Sequence, residues 1–276
     1  MTRSRALGLA LAALFLGGCF QNRTGMKVNA DGSGTIVITS KMKATAIKQM
    51  KEMAKSFGGD NAKEPELFSE KQAREKAPKM GEGVEFVSYE PVKEKDFEGE
   101  KVTYAFKDLS KVKLNEMAEP PSDPASGLKS QSPKGDPITF KFGKQANGNS
   151  LITVVNPKRE MKPEAAPDAP PPGAPPGGEM PEEQLAMMKE MMGGLRITIE
   201  LEVAGTLVKT NSPHVNCSTV TLLDMDFDKV LGDMAKFKKF AAKPPQSAEE
   251  AKAMLKDFPG VKINLEPETT IEFSGK

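Results

Sequence analysis

The stretch Arg196-Ile197-Thr198-Ile199-Glu200-Leu201-Glu202-Val203 decides the fold class. Its apolar residues alternate with polar ones, so the apolar side chains share one side of an extended strand. This half-buried pattern is typical of an antiparallel sheet with one solvated face, because strands of a parallel sheet are usually apolar on both sides. The sequence therefore predicts a twisted antiparallel sheet.

Other stretches repeat this alternation and are separated by turn residues. The clearest turn is Asp31-Gly32-Ser33-Gly34, which favours a hairpin. Further turns are predicted at Glu98-Gly99-Glu100 and at Asn211-Ser212-Pro213. The expected strands are Gly25–Ala30 with Thr35–Met42, Val84–Tyr89 with Val102–Phe106, Ile138–Phe142 with Leu151–Val155, Leu207–Lys209 with Thr219–Leu223, and Thr269–Phe273.

Two segments have the period of an amphipathic helix, Ala44–Phe57 and Asp228–Phe240. We expect both helices to pack on one face of the sheet, which makes the fold class α+β. The first helix carries Lys48, Lys51 and Lys55 opposite its apolar stripe. That lysine face is typical of a solvated helix surface, and contact with anionic lipid headgroups is the alternative interpretation.

Two stretches are too rich in proline to contribute to a hydrophobic core. Residues 119–137 contain five prolines and residues 157–181 contain nine. Such composition is typical of extended or disordered segments. Because the strands before and after them have the same half-buried character, we interpret both stretches as inserts in one domain that covers residues 19–276.

The first nineteen residues have the organisation of a bacterial lipoprotein leader. Arg3 and Arg5 precede the apolar run Ala6–Leu16, which is too short to span a membrane. Leu16-Gly17-Gly18-Cys19 then resembles a lipobox. In lipoproteins with this motif the leader is cut before the cysteine, whose sulfur receives a diacylglycerol and whose new amino group can be acylated, for example with palmitate. The sequence therefore predicts a signal peptide at residues 1–18 and lipid attachment at Cys19.

Acyl chains on Cys19 would tether the protein to a membrane of the bacterial cell envelope, on its extracytoplasmic side. Two or more chains anchor a protein far more firmly than one. In Gram-negative lipoproteins, retention in the inner membrane usually depends on Asp directly after the lipid-bearing cysteine, and here that residue is Phe20. By this resemblance the outer membrane, facing the periplasm, is favoured if the source is Gram-negative.

The order of these signals resembles that of the LppM-like bacterial lipoproteins. The matching residues are the lipobox, the hairpin segment Met26–Thr35 leading into an amphipathic helix, and the stretches Ile199–Asn211 and Thr219–Leu222. Family members typically have Trp after the last strand's threonine, where this chain has Leu222. The resemblance implies an extracytoplasmic α+β domain on a lipid anchor, with a lipid-related binding role and no catalytic residues.

Composition and charge exclude several classes of protein. Lys and Arg number 39 against 38 Asp and Glu, so we expect no nucleic-acid partner. One His and two Cys leave too few ligands for a structural zinc site, so we predict neither metal nor cofactor. His214 is the single His and lies in a predicted turn without a nucleophile elbow. Cys217 is expected to be a small, semi-buried residue at the start of a strand. Because no acid, base and nucleophile converge, we predict that the protein is not an enzyme.

The acidic run Asp224–Asp228 resembles the start of a calcium-binding loop. Such a loop needs Gly at its sixth position and Glu at its twelfth, where this chain has Lys229 and Ala235. We therefore interpret the run as the end of a strand, with Asp226 or Asp228 capping the helix that follows.

A methionine-rich segment is the candidate ligand-binding region. Pro181 and two glutamates predict the start of a short helix, and Gly193-Gly194 predicts its end. The apolar side of this helix carries Met187, Met188, Met191 and Met192. Three interpretations are open: packing against the sheet, a pliable surface that grips acyl chains or varied partners, and capture of Cu(I) by thioethers.

These observations predict a lipid-anchored, non-catalytic envelope protein that binds a lipid or another amphiphilic ligand. The alternatives are a structural or assembly factor that contacts other envelope proteins and, second, a methionine-rich copper-binding protein. A lipid binder should contain an enclosed apolar pocket, whereas an assembly factor should expose a flat apolar patch.

The lipid anchor is directly testable with the substitution Cys19→Ser. Without the sulfur there is no acceptor for the diacylglycerol, so we expect the variant to lack the acyl mass that wild-type protein carries. Mass spectrometry of both proteins made in the native host measures this difference, and Cys217→Ser is the matched control that should keep the acyl mass. A bare sulfur in the wild-type protein would contradict the prediction.

Overall fold

The computed structural model describes residues 20–58, 66–115, 136–157, 186, 189, 192–242, 248–256 and 258–275. In this part of the chain, two sheets account for more residues than the helices do, and the predicted α+β class is confirmed. None of the helices described there has both the length and the apolar character needed to cross a bilayer. The predicted signal peptide and nearly all of the two proline-rich stretches lie outside the described residues.

The elements are numbered along the chain. The strands are β1 (Phe20–Val28), β2 (Gly34–Lys43), β3 (Glu85–Lys93), β4 (Phe97–Phe106), β5 (Lys113–Leu114), β6 (Ile138–Lys144), β7 (Ser150–Val155), β8 (Arg196–Val203), β9 (Gly205–Thr210), β10 (Val215–Asn216), β11 (Thr219–Asp226), β12 (Val261–Ile263) and β13 (Glu268–Gly275). The helices are α1 (Ala44–Gly58), α2 (Glu70–Lys76), α3 (Phe227–Gly232), α4 (Met234–Ala242) and α5 (Ala248–Leu255).

The first sheet has the strand order β10-β11-β8-β1-β2-β4-β3, with β12 added beside β11. The second sheet has the order β5-β6-β7-β13-β9. Neighbouring strands are antiparallel except β1 and β8, which run parallel with Gln21 opposite Arg196 and Val28 opposite Val203. Because β2 pairs along its other side, β1 is a central strand of the first sheet.

The sequence predicted one sheet, and the structure divides its strands between two. Leu207–Lys209 was expected to pair with Thr219–Leu223, but these segments lie in β9 and β11, which belong to different sheets. The chain passes from one sheet to the other at Ala204, so β9 pairs with β13 instead. Alternation shows that a strand is half-buried, but it does not show which sheet contains that strand.

The predicted turn at Glu98-Gly99-Glu100 is wrong, because these residues lie inside β4. The turn between β3 and β4 is at residues 94–96, closed by a hydrogen bond from the Glu94 N–H to the Phe97 carbonyl of 2.8 Å. Gly99 is therefore a strand residue, and a Cβ at this position would lie 2.0 Å from the backbone oxygen of Ser40 on β2. Its role is to allow close approach of the two strands.

The predicted helix Asp228–Phe240 is divided into α3 and α4 at Asp233. Asp233 has non-helical dihedral angles, φ −101° and ψ 73°, and its side chain accepts a hydrogen bond from the Lys236 N–H. Asp226 caps α3 by accepting from the Lys229 N–H, as the sequence predicted for one of the two aspartates.

One face of the first sheet, called here the inner face, is covered mainly by the second sheet and by α1, and α2 packs against it at β4. The second sheet covers the half that contains Val28, Ile36 and Phe106, and both sheets contribute to a single apolar cluster. Its members from the second sheet include Ile138, Phe140, Ile152, Val154, Ile271 and Phe273. This cluster is the main core of the described chain.

The other half of the inner face is covered by α1. Ala46, Ile47 and Met50 lie one turn apart on this helix and pack against Phe20 of β1 and Met42 of β2. Leu67, together with the half-buried Phe68 and Leu195, completes this second apolar cluster. The predicted packing of the first helix on the sheet is therefore confirmed, and it covers the end of the sheet at which β1 begins.

The turn between β1 and β2 fixes the second sheet to the first. Gly32 has a positive φ of 87°, and a Cβ there would lie 2.7 Å from the ring of Phe142 on β6. The Gly32 carbonyl accepts from the Leu109 N–H, and the buried hydroxyl of Ser150 donates to the Ala30 carbonyl. Only glycine combines this backbone conformation with so close an aromatic neighbour.

The opposite, outer face of the first sheet is solvated and carries cross-strand ion pairs. Arg23 pairs with Glu200 at 2.7 Å, and Lys27 pairs with Glu202 at 2.9 Å. Because these side chains are partly exposed, each pair is worth about 1 kcal/mol or less. The polar residues that alternate in the sequence of β8 therefore have a structural explanation.

The hydroxyl of Tyr104 on β4 donates a 2.9 Å hydrogen bond to the Ala73 carbonyl and ties α2 to the sheet. Tyr104 is 1 % exposed, so Tyr104→Phe removes a buried hydrogen bond that joins α2 to the sheet. We expect the free energy of unfolding to fall by about 1–2 kcal/mol. Urea denaturation measures it, with Val208→Ala on exposed β9 as a control that should change it by less than about 0.5 kcal/mol.

Candidate functional site

A cavity of about 210 Å³, open to solvent and therefore not the enclosed pocket expected for a lipid binder, lies at the end of the inner face that α1 covers. Its walls come from α1, from the segment before α2, from the edge strand β3 and from the start of β4. The lining residues are Ile47, Lys51, Glu66, Leu67, Phe68, Tyr89, Pro91, Val92, Lys93, Glu98 and Gly99. Apolar and aromatic residues therefore share the wall with charged residues of both signs, and neither kind of surface dominates.

The register of the strands places this cavity level with the first residue of β1. Phe20 is opposite Met42 of β2, Met42 is opposite Glu98 of β4, and Glu98 is opposite Lys93 of β3. Two lining residues thus belong to the cross-strand row that starts at Phe20. The cavity lies beyond the second apolar cluster, toward the edge of the sheet.

Negative charge is concentrated around Tyr89, which is half-buried in the cavity wall. Burial raises the pKa of the Tyr89 hydroxyl, and the carboxylates of Glu100, Glu66 and Glu70 raise that pKa further. Lys51 and Lys93 bring positive charge to the same cavity. The site can therefore receive a ligand that carries both a cationic and an anionic group.

Glu100 is the residue of this region that the sequence interpretation missed. It is 4 % exposed, and among the described residues its Oε2 atom has no hydrogen-bond partner. The Lys76 ammonium lies 3.7 Å from Oε1. Burial raises the pKa of the Glu100 carboxyl, and Lys76 offsets only part of that effect. Glu100 lies two and four residues before Val102 and Tyr104 along β4, so all three side chains point to the same face. This spacing could have placed Glu100 on the inner face.

Glu100 belongs to a polar row that crosses the inner face between the two apolar clusters. The row runs from Asn22 on β1 through Ser40 on β2 to Glu100 on β4, and these residues are direct cross-strand neighbours. Asn22 Nδ2 donates to Ser40 Oγ at 2.9 Å, and both residues are buried. Glu100 differs from them in keeping one oxygen unsatisfied.

The residues predicted from the sequence to bind lipid lie mostly outside the described residues. This applies to Cys19, the predicted acylation site, and to Met187, Met188 and Met191. Met192 is described and is half-buried, and its carbonyl accepts from the Leu195 N–H. Because Leu195 packs against the cluster around Phe20, the methionine-rich segment ends at the same end of the sheet as the cavity.

The other residues considered at the sequence level are separate from the cavity. Cys217 is exposed in the turn between β10 and β11 with φ 52°, so its expected semi-buried position is wrong. His214 lies in the preceding loop, where burial lowers the pKa of its imidazole. Asp224 pairs with Arg196, and Asp228 accepts from the Gly194 N–H. In the described ranges no three potential metal-ligating side chains form a cluster.

Phe20, which we used to assign a membrane, has a packing role. It is 4 % exposed and lies beneath α1 beside Met42. A charged side chain here would be buried among apolar groups, so packing alone explains why aspartate is absent. The assignment to the outer membrane therefore stays a prediction with weaker support from this residue.

Comparisons with known proteins give one distant structural likeness. No family model matches the sequence, and no curated protein matches it. The chain is similar to the NMR structure of the folded domain of LppM from Mycobacterium tuberculosis, with a TM-score of 0.32 and 8 % identity over 95 % of this chain and 93 % of that chain. A likeness at this level carries no argument about function, so the resemblance to LppM-like lipoproteins stays an expectation from the sequence.

The buried carboxyl of Glu100 makes a prediction about pH. Its pKa is raised in the folded state, so folded protein binds the proton more tightly than unfolded protein does. Stability should therefore fall as pH rises from the ordinary pKa of 4.5 through the raised pKa. We expect Glu100→Gln to unfold at higher urea concentration than wild type at pH 7, with the difference shrinking below pH 4.5.

The control for this experiment is Glu98→Gln, which changes an exposed carboxylate two residues away on the same side of β4. It should leave the pH dependence close to that of wild type. If Glu100→Gln were instead less stable at pH 7, the Lys76 ion pair would outweigh the burial of the charge, and our account of this residue would be wrong.

Proposed function

We propose that this protein is a non-catalytic lipoprotein of the bacterial cell envelope, anchored through acyl chains on Cys19, which binds an amphiphilic ligand in the cavity between α1 and β3. The cavity is the observation that carries the proposal, because it joins aromatic and apolar walls to charges of both signs. Ligand sites are typically concave and mostly apolar, with a few charged groups that orient the ligand.

The charges suit a headgroup that contains both an ammonium and a phosphate. Tyr89 and Phe68 contribute aromatic rings, which can attract a cation, and the nearby Glu66 and Glu98 contribute carboxylates. The ammonium groups of Lys51 and Lys93 can donate hydrogen bonds to the oxygens of a phosphate. A zwitterionic phospholipid such as phosphatidylethanolamine carries both groups in one headgroup, with two carbon atoms between the phosphate oxygen and the ammonium nitrogen.

The size of the cavity limits how much of the ligand it can hold. Sites that enclose a whole drug-sized molecule measure roughly 300–1,000 Å³. At about 210 Å³, this cavity suits a headgroup and the first part of a chain, but not a complete diacyl lipid. The remaining chains of the ligand would stay in the membrane.

The lining chemistry favours binding over catalysis. The described residues of the cavity wall include no His, Cys or Ser, so the Ser–His or Cys–His pair of a hydrolase is not among them. Carboxylates, lysines and one tyrosine are present, and each has a role in the headgroup proposal. The same wall contains no thioether, so a copper site would have to be elsewhere.

The alternative of an assembly factor has less support. Among the described residues the large apolar side chains that are exposed are Val87, Val208 and Val215. They lie on β3, β9 and β10, which are edge strands at three different places in the two sheets. A flat apolar patch would need neighbouring side chains, so the described surface favours the amphiphile over a protein partner.

The proposal predicts that Lys93→Glu weakens binding of a soluble zwitterionic phospholipid. The variant removes a cation from the cavity wall and adds an anion, which should raise the Kd about fivefold, on the scale of exposed ion pairs. Dihexanoyl-phosphatidylethanolamine below its micellar concentration is the probe, and calorimetric titration of the mature protein measures the Kd. Lys107→Glu is the control, because Lys107 is an exposed lysine beyond the far end of β4.

Native mass spectrometry of the mature wild-type protein is the complementary test. We expect non-covalent adducts of phospholipid mass beyond the covalent acyl groups. Absence of both adducts and measurable binding of the short-chain probe would contradict the function, as would equal weakening in the two charge-reversal variants.

A further inference from the structure

No residue separates the predicted lipid attachment site from the folded sheet. β1 begins at Phe20, whose partner is Met42, and Cys19 is its direct neighbour in the chain. Consecutive Cα atoms are about 3.8 Å apart, so the sulfur of Cys19 cannot lie more than a few ångströms from the end of a central strand. A lipid on that sulfur would hold this end of the sheet against the bilayer.

We propose that the first sheet stands on the membrane with its Phe20 end down, so that the surface around the start of β1 docks on the phospholipid headgroups. This inference rests on the acylation of Cys19 that the proposed function includes. The occupant of the docking surface is the bilayer in which the acyl chains insert. The orientation follows from the absence of a linker between Cys19 and β1, because a tether of several residues would let the domain turn freely.

The strand directions determine which residues meet the headgroups. At the Phe20 end lie the start of β8 at Arg196, the end of β2 at Lys43 and the turn from Lys93 to Phe97. The other end of β1, at Val28, is eight residues farther along the strand and lies about 26 Å higher at roughly 3.3 Å per residue. The turn at Gly32 and residue Lys107 belong to that distant end.

The charges of this end fit a zwitterionic headgroup layer. Within the described chain, Lys43, Lys93 and Lys95 have no carboxylate oxygen within 4.0 Å, so their ammonium groups are available for phosphates. Asp96 and Glu98 lie among them and can face the ammonium groups of the same lipids. These charges alone would bind the headgroup layer weakly, and the acyl chains on Cys19 keep the domain at the membrane.

Docking in this orientation places the cavity at the level of the bilayer surface. Glu98 and Lys93 line the cavity and lie in the same cross-strand row as Phe20. A ligand whose chains remain in the membrane could therefore reach the site without leaving the leaflet. The ligand would then be a phospholipid of the same leaflet that holds the acyl chains of Cys19.

Fluorescence quenching by the membrane tests the orientation. The acylated protein carries Cys217→Asn, which removes the exposed thiol and suits the positive φ at that turn. A bimane label is placed at Lys95→Cys or, as the matched control, at Lys107→Cys. The proteins are reconstituted in vesicles of phosphatidylethanolamine and phosphatidylglycerol in equal amounts, containing a phospholipid with a spin label on its headgroup.

We expect the label at position 95 to lose most of its fluorescence and the label at position 107 to keep most of it. A Gly-Ser linker of about ten residues between Cys19 and Phe20 spans roughly 18 Å and should bring the two positions closer to equal quenching. Equal quenching without the linker, or stronger quenching at position 107, would overturn the orientation.

The outcome of this experiment is separable from failure of the proposed function. The mass of each labelled protein shows whether Cys19 is acylated, and an unacylated sulfur overturns both the anchor and the orientation. An acylated protein with the wrong quenching pattern overturns the orientation alone. Binding of the short-chain phospholipid in solution continues to report on the cavity by itself.

Discussion

The inner face of the first sheet is the constraint on which the rest of the structure depends, because a second sheet and helices must both cover it. The second sheet covers one half, and α1 covers the half where Phe20 and Met42 lie. The polar row of Asn22, Ser40 and Glu100 crosses the face between them. A single cover would have given one continuous core. Two covers leave a junction near the edge strand β3, and the cavity lies on the α1 side of that junction.

The same polar row explains where sequence patterning succeeded and where it failed. Ile197, Ile199, Leu201 and Val203 are all buried, so the alternation of β8 was visible and its strand was predicted correctly. In the first part of β1, Asn22 and Thr24 face inward, and Gln21 and Arg23 face outward. With polar residues on both sides there is no alternation to detect, and the strand was predicted to begin at Gly25 instead of Phe20.

The start of β4 was hidden in the same way. Glu98, Gly99 and Glu100 have the composition of a turn, yet Gly99 permits close contact with β2 and Glu100 faces the core. Positions at which a local pattern contradicts the fold tend to be functional or strained. Here Glu98 and Gly99 line the cavity, and the adjacent Glu100 has the unsatisfied carboxylate oxygen. Pairing of β9 with β13 was beyond the sequence because it depends on long-range register.

The account joins three features at one end of the sheet: the predicted lipid anchor, the cavity and the end of the methionine-rich segment at Met192. Its central claim is that this end faces the bilayer. Hydrogen–deuterium exchange of the acylated protein, compared between vesicles and detergent, tests that claim most directly. The account predicts slower exchange in vesicles for the turn at residues 94–96 and unchanged exchange for the turn at residues 31–33. Slower exchange at residues 31–33 with no change at residues 94–96 would contradict it.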